Sequence, residues 1–222
     1  METIFSFLRD LVRNNNREWF SENKARYLEA LEQFREFTSE VLGGIALFDP
    51  ALTWLDPKDT IFRIYRDIRF SKDKFPYKTH FGCWMARGGR KSTDAGYYFQ
   101  LQPDGSFMAA GVYMPPKEQL HLIRQEIVFN PKAFRKVFND PVITEYYERM
   151  GTEDKLKQGP AGFPRDFELL EEIKYRHYIF SKHYPEREVV KKDFSHQLVE
   201  DYRGLFPVVS YLNNAMSFAG NE

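Results

Sequence analysis

The sequence predicts an α+β fold in one domain, with a mostly antiparallel sheet of about five strands flanked by N-terminal and C-terminal helices. Three observations lead to this prediction. Apolar residues recur at helical spacing near both ends of the 222-residue chain, and they alternate with polar residues in its middle. Short turns join the alternating segments, which favours antiparallel neighbours. Because no linker, repeat or low-complexity segment interrupts the chain, we expect a single domain over residues 1–222.

The N-terminal part predicts two helices. The first carries an apolar face made of Ile4, Phe5, Leu8, Leu11 and Val12. The run Asn14-Asn15-Asn16 ends it, and Asn15 with Glu18 three residues later matches a capping box that opens the second helix. Gly43 and Gly44 are predicted to end that second helix.

Five strands are predicted in the middle of the chain. The first begins at Phe62, where apolar and polar residues alternate through Phe70. The others are predicted over residues 79–87, 97–101, 107–114 and 175–180. Pro103-Asp104-Gly105 forms a hairpin turn between two of them. Gly111, inside the fourth strand, predicts a close approach of a neighbouring backbone.

Short helices are predicted between the fourth and fifth strands, and a longer helical region after the fifth. Asn130-Pro131 and Asp140-Pro141 each combine a capping side chain with a proline in the first turn. The second of these helices is predicted to carry Ile143, Tyr146, Tyr147 and Met150. From Pro185 onward the apolar spacing is again helical.

Charge and cysteine content limit the possible partners and the cellular compartment. Lys and Arg total 32 and Asp and Glu total 32, so no global charge favours nucleic acid or a membrane. Cys83 is the only cysteine, so no intramolecular disulfide can form, which predicts a reducing compartment. Its large apolar neighbours predict a buried, inert thiol. No signal peptide or membrane-spanning run is recognised, and we expect a cytoplasmic protein.

The local charge is uneven, because residues 63–91 hold nine Lys or Arg and two Asp. Residues 62–82, called the basic segment below, form the candidate site for an anion such as phosphate or carboxylate. In a strand, Arg63 and Arg69 share one face and Arg66 the other, so Arg66, with Asp67, is predicted to be structural. The predicted ligand-binding residues are Arg63, Arg69, Lys72, Lys74, Tyr77 and Lys78. His80 is the candidate for proton transfer.

Two alternatives remain open at this point. The basic segment can serve a nucleic-acid or protein interaction module, in which Tyr65, Phe75 and Tyr77 stack or pack while the cations meet phosphates. It can also be purely structural, neutralised by acids elsewhere in the fold. No nucleotide fingerprint, nucleophile elbow or metal-ligand spacing is present, so we predict no cofactor and no metal.

Several motifs occur in an order that resembles a known family. They are Asn15-Asn16-Arg17-Glu18-Trp19-Phe20, residues 62–74 with 76–82, Gly96-Tyr97-Tyr98, Tyr113-Met114-Pro115 and Gly162-Phe163-Pro164. The chain resembles the domain of unknown function 2461 family, hypothetical proteins common in bacteria, over nearly its whole length. Phe75 departs from the family pattern, which has a small polar residue, often threonine, at that position. The resemblance implies a single domain, and it implies no activity and no site residues.

Overall fold

The computed structural model describes residues 1–69 and 71–217. Phe70, the predicted end of the first strand, lies outside the described residues. The α-helices are α1 (Glu2–Arg13), α2 (Arg17–Glu22), α3 (Lys24–Ala46), α4 (Pro57–Thr60), α5 (Lys117–Phe129), α6 (Pro131–Phe138), α7 (Pro141–Tyr146), α8 (Leu170–Ile173), α9 (Glu186–Val189) and α10 (Phe194–Ser217). The strands are β1 (Phe81–Met85), β2 (Gly96–Leu101), β3 (Ser106–Val112), β4 (Glu148–Met150) and β5 (Tyr178–Tyr184).

The predicted α+β class is confirmed: the described residues form five antiparallel strands, with helices before and after them. The strand order in the sheet is β1-β2-β3-β5-β4. In the last pair, Glu148 lies opposite Ser181 and Met150 opposite Ile179. None of the helices in the described part of the chain combines the length and the apolar character that crossing a bilayer requires.

Two of the predicted elements are wrong. The described residues of the predicted first strand, from Phe62 onward, lie in no strand of the sheet and form one isolated bridge, between Tyr65 and Tyr77. In its place the sheet includes β4, which lies in a region predicted to be helical through Met150. The helix α7 ends at Tyr146, and the chain then extends to pair with β5.

The chain packs into two compact units. Unit 1 comprises Met1–Arg90, Tyr98–Met108 and His183–Glu200, and unit 2 comprises Lys91–Tyr97, Ala109–Lys182 and the described residues from Asp201 onward. In unit 1 the core is aromatic: the Phe81 ring of β1 lies 5.4 Å from Phe34 and 6.2 Å from Tyr27, both on α3. Aromatic pairs at these distances add to the stability that burial provides.

Unit 2 has its own aromatic core. Phe134 and Phe138 of α6 stack with their ring centroids 4.4 Å apart. Phe138 meets Tyr178 of β5 edge to face at 6.0 Å and Tyr211 of α10 edge to face at 5.7 Å. The alternation of apolar residues in β5 and the helical spacing in α6 therefore converge on one cluster, as the sequence pattern requires.

The two faces of β2 differ in exposure. Tyr97, Phe99 and Leu101 are fully buried, whereas the alternate residues Tyr98 and Gln100 are half-buried. This is the period-two pattern of a strand with one covered and one open face. The open face continues into the neighbourhood of the basic segment, because the Phe62 ring lies 6.4 Å from the ring of Tyr98.

Candidate functional site

The basic segment folds back on itself as an irregular hairpin. Tyr65 and Tyr77 form an antiparallel bridge. The Arg66 amide donates to the Pro76 carbonyl at 2.9 Å, and the Lys78 amide donates to the Ile64 carbonyl at 2.8 Å. Nearer the sheet, the Phe62 amide donates to the Gly82 carbonyl at 2.9 Å, so the second arm of the hairpin leads directly into β1.

The two arms of this hairpin are unequal. Tyr65 follows Ile61 by four positions, whereas Cys83, which bridges to Ile61, follows Tyr77 by six. The second arm therefore carries two additional residues, and the bend at Thr79 and His80 accommodates them. Such a bulge re-aims side chains that a regular ladder would hold on one face.

The N-terminal helices hold the hairpin in place. The Asn15 side-chain amide donates to the Tyr77 carbonyl at 3.0 Å, and the Tyr77 amide donates to Asn15 Oδ1 at 3.1 Å. The Tyr77 ring, 5% exposed, stacks on Phe20 at 3.9 Å with an interplanar angle of 12°. Asn15 is therefore not the cap that was predicted, and Asn16 caps α2 by accepting from the Trp19 amide.

The tip of the hairpin, residues 66–75, satisfies its charges internally except for that of Lys72. The Arg66 guanidinium donates to the Asp73 carboxylate at 2.6 Å, to the Phe75 carbonyl at 3.2 Å and to Ser71 Oγ at 3.4 Å. In the same way Arg69 donates to both carboxylate oxygens of Asp67, at 2.9 and 2.6 Å. Lys74 Nζ donates to the Ile68 carbonyl at 3.1 Å.

The root of the hairpin, defined as Arg63, Lys78 and His80, is different. In the described part of the chain no carboxylate lies within ion-pair distance of any of the three. Burial lowers the pKa of Lys78, and the nearby Arg63 cation lowers it further. Burial is the main cause that lowers the pKa of His80 to about 4, and the Lys78 cation is the second. Each shift disfavours a cation that lacks a counter-charge, which is the condition an anion would relieve.

The predicted ligand-binding residues thus separate into groups. Arg69 and Lys74 are engaged within the tip, and Tyr77 is engaged by Phe20 and Asn15. Lys72 is exposed at the tip and makes no hydrogen bond or ion pair with the residues that the structure describes. Arg63, Lys78 and His80 come together at the root. The roles assigned to all of them from sequence stay predictions.

The aromatic residues of the interaction-module alternative are also placed. Tyr65 and Tyr77 pack at a tilt against each other at 5.4 Å, and both contact Phe20, at 5.7 and 3.9 Å. Only Phe75, 57% exposed, projects from the tip without a ring contact among the described residues. The three rings therefore do not form one stacking surface.

The pKa of His80 predicts a pH dependence of stability. Because the pKa is about 4 in the folded protein against 6.5 for an ordinary histidine, the unfolded chain takes up this proton first as the pH falls. The contribution of His80 to stability is complete above pH 6.5 and is lost between pH 6.5 and about 4. Urea unfolding at pH 7 and pH 4 should show wild type losing about 2–3 kcal/mol more than His80→Gln. Equal losses in the two proteins would contradict the burial of a neutral imidazole.

Sequence reasoning missed the neighbours that line the root. Lys78 Nζ lies 5.2 Å from the centroid of the Phe62 ring, a cation–π contact. The Tyr98 hydroxyl donates to Gln100 Oε1 at 3.0 Å on the open face of β2. The alternation of β2 was the available signal, because it assigns Tyr98 and Gln100 to the face opposite the core.

Other chemistry-bearing groups lie outside the root. Cys83 is buried, as predicted, and burial raises the pKa of its thiol to about 12, so that the thiol is protonated at neutral pH. His177 Nε2 lies 3.0 Å from Asp154 Oδ2, and its Nδ1 accepts from the Met114 amide at 3.1 Å. Both ring nitrogens of this histidine are therefore occupied. Across residues 1–69 and 71–217 no group of three or more His, Cys, Asp or Glu could hold a metal ion.

Comparison with known proteins identifies a family. The family model described as conserved hypothetical protein (DUF2461) matches residues 3–211. No curated protein and no solved structure matches the chain.

Proposed function

The chain belongs to the DUF2461 family of conserved hypothetical proteins, and we propose that it binds an anion bearing a phosphate or carboxylate group at the root of the hairpin. The observation that carries this proposal is the contrast between tip and root. Arg66 and Arg69 each have a carboxylate within 2.6 Å, whereas Arg63, Lys78 and His80 have none among the described residues. Lys78 is the partly buried cation of the root, whereas Arg63 is exposed and interacts at longer range with Asp67. A partly buried cation without an ion-pair partner is costly, and a bound anion removes that cost.

The alternative of a purely structural basic segment accounts for the tip. Arg66 closes the loop through three hydrogen bonds, and Asp67 and Asp73 neutralise their neighbours. It does not account for the root, because a structural role favours a paired cation rather than two cations that oppose each other's charge. The proposed ligand-binding set is therefore Arg63 and Lys78, with Lys72 as an exposed cation of the same hairpin.

In this proposal His80 acts first as a hydrogen-bonding group. Its imidazole is neutral at pH 7, because its pKa is about 4 without a ligand. A bound anion stabilises the imidazolium and raises that pKa, which brings the group closer to the range useful for proton transfer.

Titration of the protein with inorganic phosphate at pH 7 and low ionic strength tests the proposal. Lys78→Gln should weaken phosphate binding roughly tenfold or more, since one charge-assisted hydrogen bond is worth about 1.5–3 kcal/mol and 1.4 kcal/mol is tenfold. The control is Lys74→Gln, which removes an exposed lysine of the same hairpin from the tip and should leave the affinity within twofold. No binding to wild type, or equal losses in the two variants, would refute an anion site at the root.

We also propose a reducing compartment, the cytoplasm, as the location of the protein. The support is a single cysteine, held in the core as a protonated thiol. The proposed partner is a small anionic molecule, because two exposed cations of the hairpin, Arg69 and Lys74, are engaged within its tip and the net charge of the chain is zero.

A further inference from the structure

An aromatic row leads from the root of the hairpin across the open face of the sheet. Lys78 Nζ lies 5.2 Å from the Phe62 ring, and Phe62 lies 6.4 Å from Tyr98. Tyr98 lies 5.5 Å from Phe107 of β3, and Phe107 lies 5.4 Å from the imidazole of His183 on β5. The contacts are continuous, and all of these residues belong to unit 1.

The rings of this row are partly exposed. Phe62, Tyr98 and Phe107 are each half-buried, in contrast to the fully buried Phe99 on the other face of β2. Neighbouring rings are tilted by 54° and 50°, so a flat ligand that stacks on one ring contacts the next ring at an angle. An apolar surface of this kind, with cations at one end, suits a ligand that is planar at one end and anionic at the other.

Side-chain amides border the row. The Tyr98 hydroxyl donates to Gln100 Oε1 at 3.0 Å, and Gln100 Nε2 donates to Gln102 Oε1 at 2.9 Å. Each amide nitrogen carries two donor hydrogens, so both glutamines keep donors that these two bonds do not use. Aromatic rings for stacking beside amides for the polar edge are the groups with which proteins recognise nucleobases.

We propose that the ligand is a mononucleotide, with its phosphate at Lys78 and Arg63 and its base stacked on the row formed by Phe62, Tyr98 and Phe107. This inference rests on the proposed function, because it adds a base to the same anion site. The distribution of charge favours one nucleotide over a nucleic-acid strand. The cations lie at one end of the row, whereas a strand requires cations along its length to meet successive phosphates.

Affinities for adenosine monophosphate, guanosine monophosphate and inorganic phosphate, measured by calorimetry at pH 7, test the inference. At least one mononucleotide should bind tenfold or more tightly than phosphate, because stacking on an aromatic side chain contributes about that factor or more. Tyr98→Leu and Phe107→Leu should each reduce that advantage and leave phosphate affinity within twofold. Tyr146→Leu, which replaces an exposed tyrosine of α7, should change neither affinity.

The outcomes separate this inference from the proposed function. If phosphate binds and neither mononucleotide binds more tightly, the base-stacking inference is overturned while the anion site stands. If phosphate does not bind, the proposed function fails, and any nucleotide affinity then comes from another site. An eight-residue thymidine oligonucleotide that binds tenfold more tightly than thymidine monophosphate would overturn the mononucleotide in favour of single-stranded nucleic acid. Circular dichroism of Tyr98→Leu and Phe107→Leu shows whether each variant is folded. A folded variant that loses the nucleotide advantage attributes that loss to stacking, and Phe107→Leu provides a second, separate test.

Discussion

Replacing Gly111 by alanine is expected to lower the free energy of unfolding by more than about 4 kcal/mol. Gly111 has a φ of 130°, a backbone conformation that side-chain-bearing residues rarely adopt. A Cβ at this position would lie 2.0 Å from the carbonyl oxygen of Tyr178 and 3.0 Å from the Cα of Ile179. Both are backbone atoms of β5, which cannot rotate away. The strands β3 and β5 must therefore separate to admit a methyl group.

The matched control is Gly162→Ala. Gly162 also has a positive φ, of 85°, but a Cβ added there meets no atom within 4 Å. This variant should cost only the backbone strain, about 1–2 kcal/mol. Urea unfolding monitored by circular dichroism compares the two variants with wild type. Similar losses in both would mean that the backbone of β5 leaves room for a methyl group at Gly111.

Gly111 also illustrates what the sequence alone could predict. A glycine within an alternating apolar run indicates either a bulge or a close backbone approach, and the close approach is confirmed. The strands β1, β2 and β3 were predicted within a few residues for the same reason, since each has one fully buried face. Where burial on one face is strong, the period-two pattern is unambiguous.

The region from Phe62 to Phe70 shows the limit of that reasoning. Its alternation, broken only at Arg66, predicts a strand, yet its described backbone pairs mainly with the returning arm of its own hairpin, near Tyr77. Alternation indicates extended backbone and does not identify the partner. The three residues of β4 were missed for the opposite reason, because so short a strand has no period of its own and follows the helical spacing of α7.

Helix ends were predicted less well where tertiary contacts decide them. Gly43 and Gly44 were expected to end α3, and the prediction is wrong because the helix continues to Ala46. A Cβ on Gly44 would lie 2.6 Å from a methyl carbon of Val199. The glycine therefore serves the close packing of α10 on α3, which local sequence cannot reveal.

The candidate site was located by composition, but its internal division was not. Counting charges identified residues 62–82 and could not separate the tip from the root. That separation depends on the loop closure that brings Arg66 to Asp73 and on a hydrogen bond between Asn15 and Tyr77, which are 62 positions apart. Neither contact has a periodic signature in the sequence.

Replacing Phe20 by alanine is expected to destabilise the protein by about 3–5 kcal/mol and to weaken anion binding at the root. Phe20 is 3% exposed, and its ring contacts Tyr77 at 3.9 Å, Tyr27 at 5.1 Å and Tyr65 at 5.7 Å. It therefore supports both arms of the hairpin at the level of their bridge. Lys78 follows Tyr77 directly, so a displaced Tyr77 also displaces the cation that we propose binds the anion.

The control is Phe75→Ala, which removes an exposed phenylalanine from the tip of the same hairpin and should change stability by less than about 0.5 kcal/mol. Urea unfolding gives the stability of both variants, and phosphate titration well below their melting temperatures gives the affinity of the folded protein. Phe20→Ala should bind phosphate at least tenfold more weakly than Phe75→Ala. A Phe20→Ala protein that is destabilised but retains wild-type phosphate affinity would show that Asn15 alone positions the root. Full stability in that variant would instead contradict the role of the Phe20–Tyr77 stack in holding the hairpin to α2.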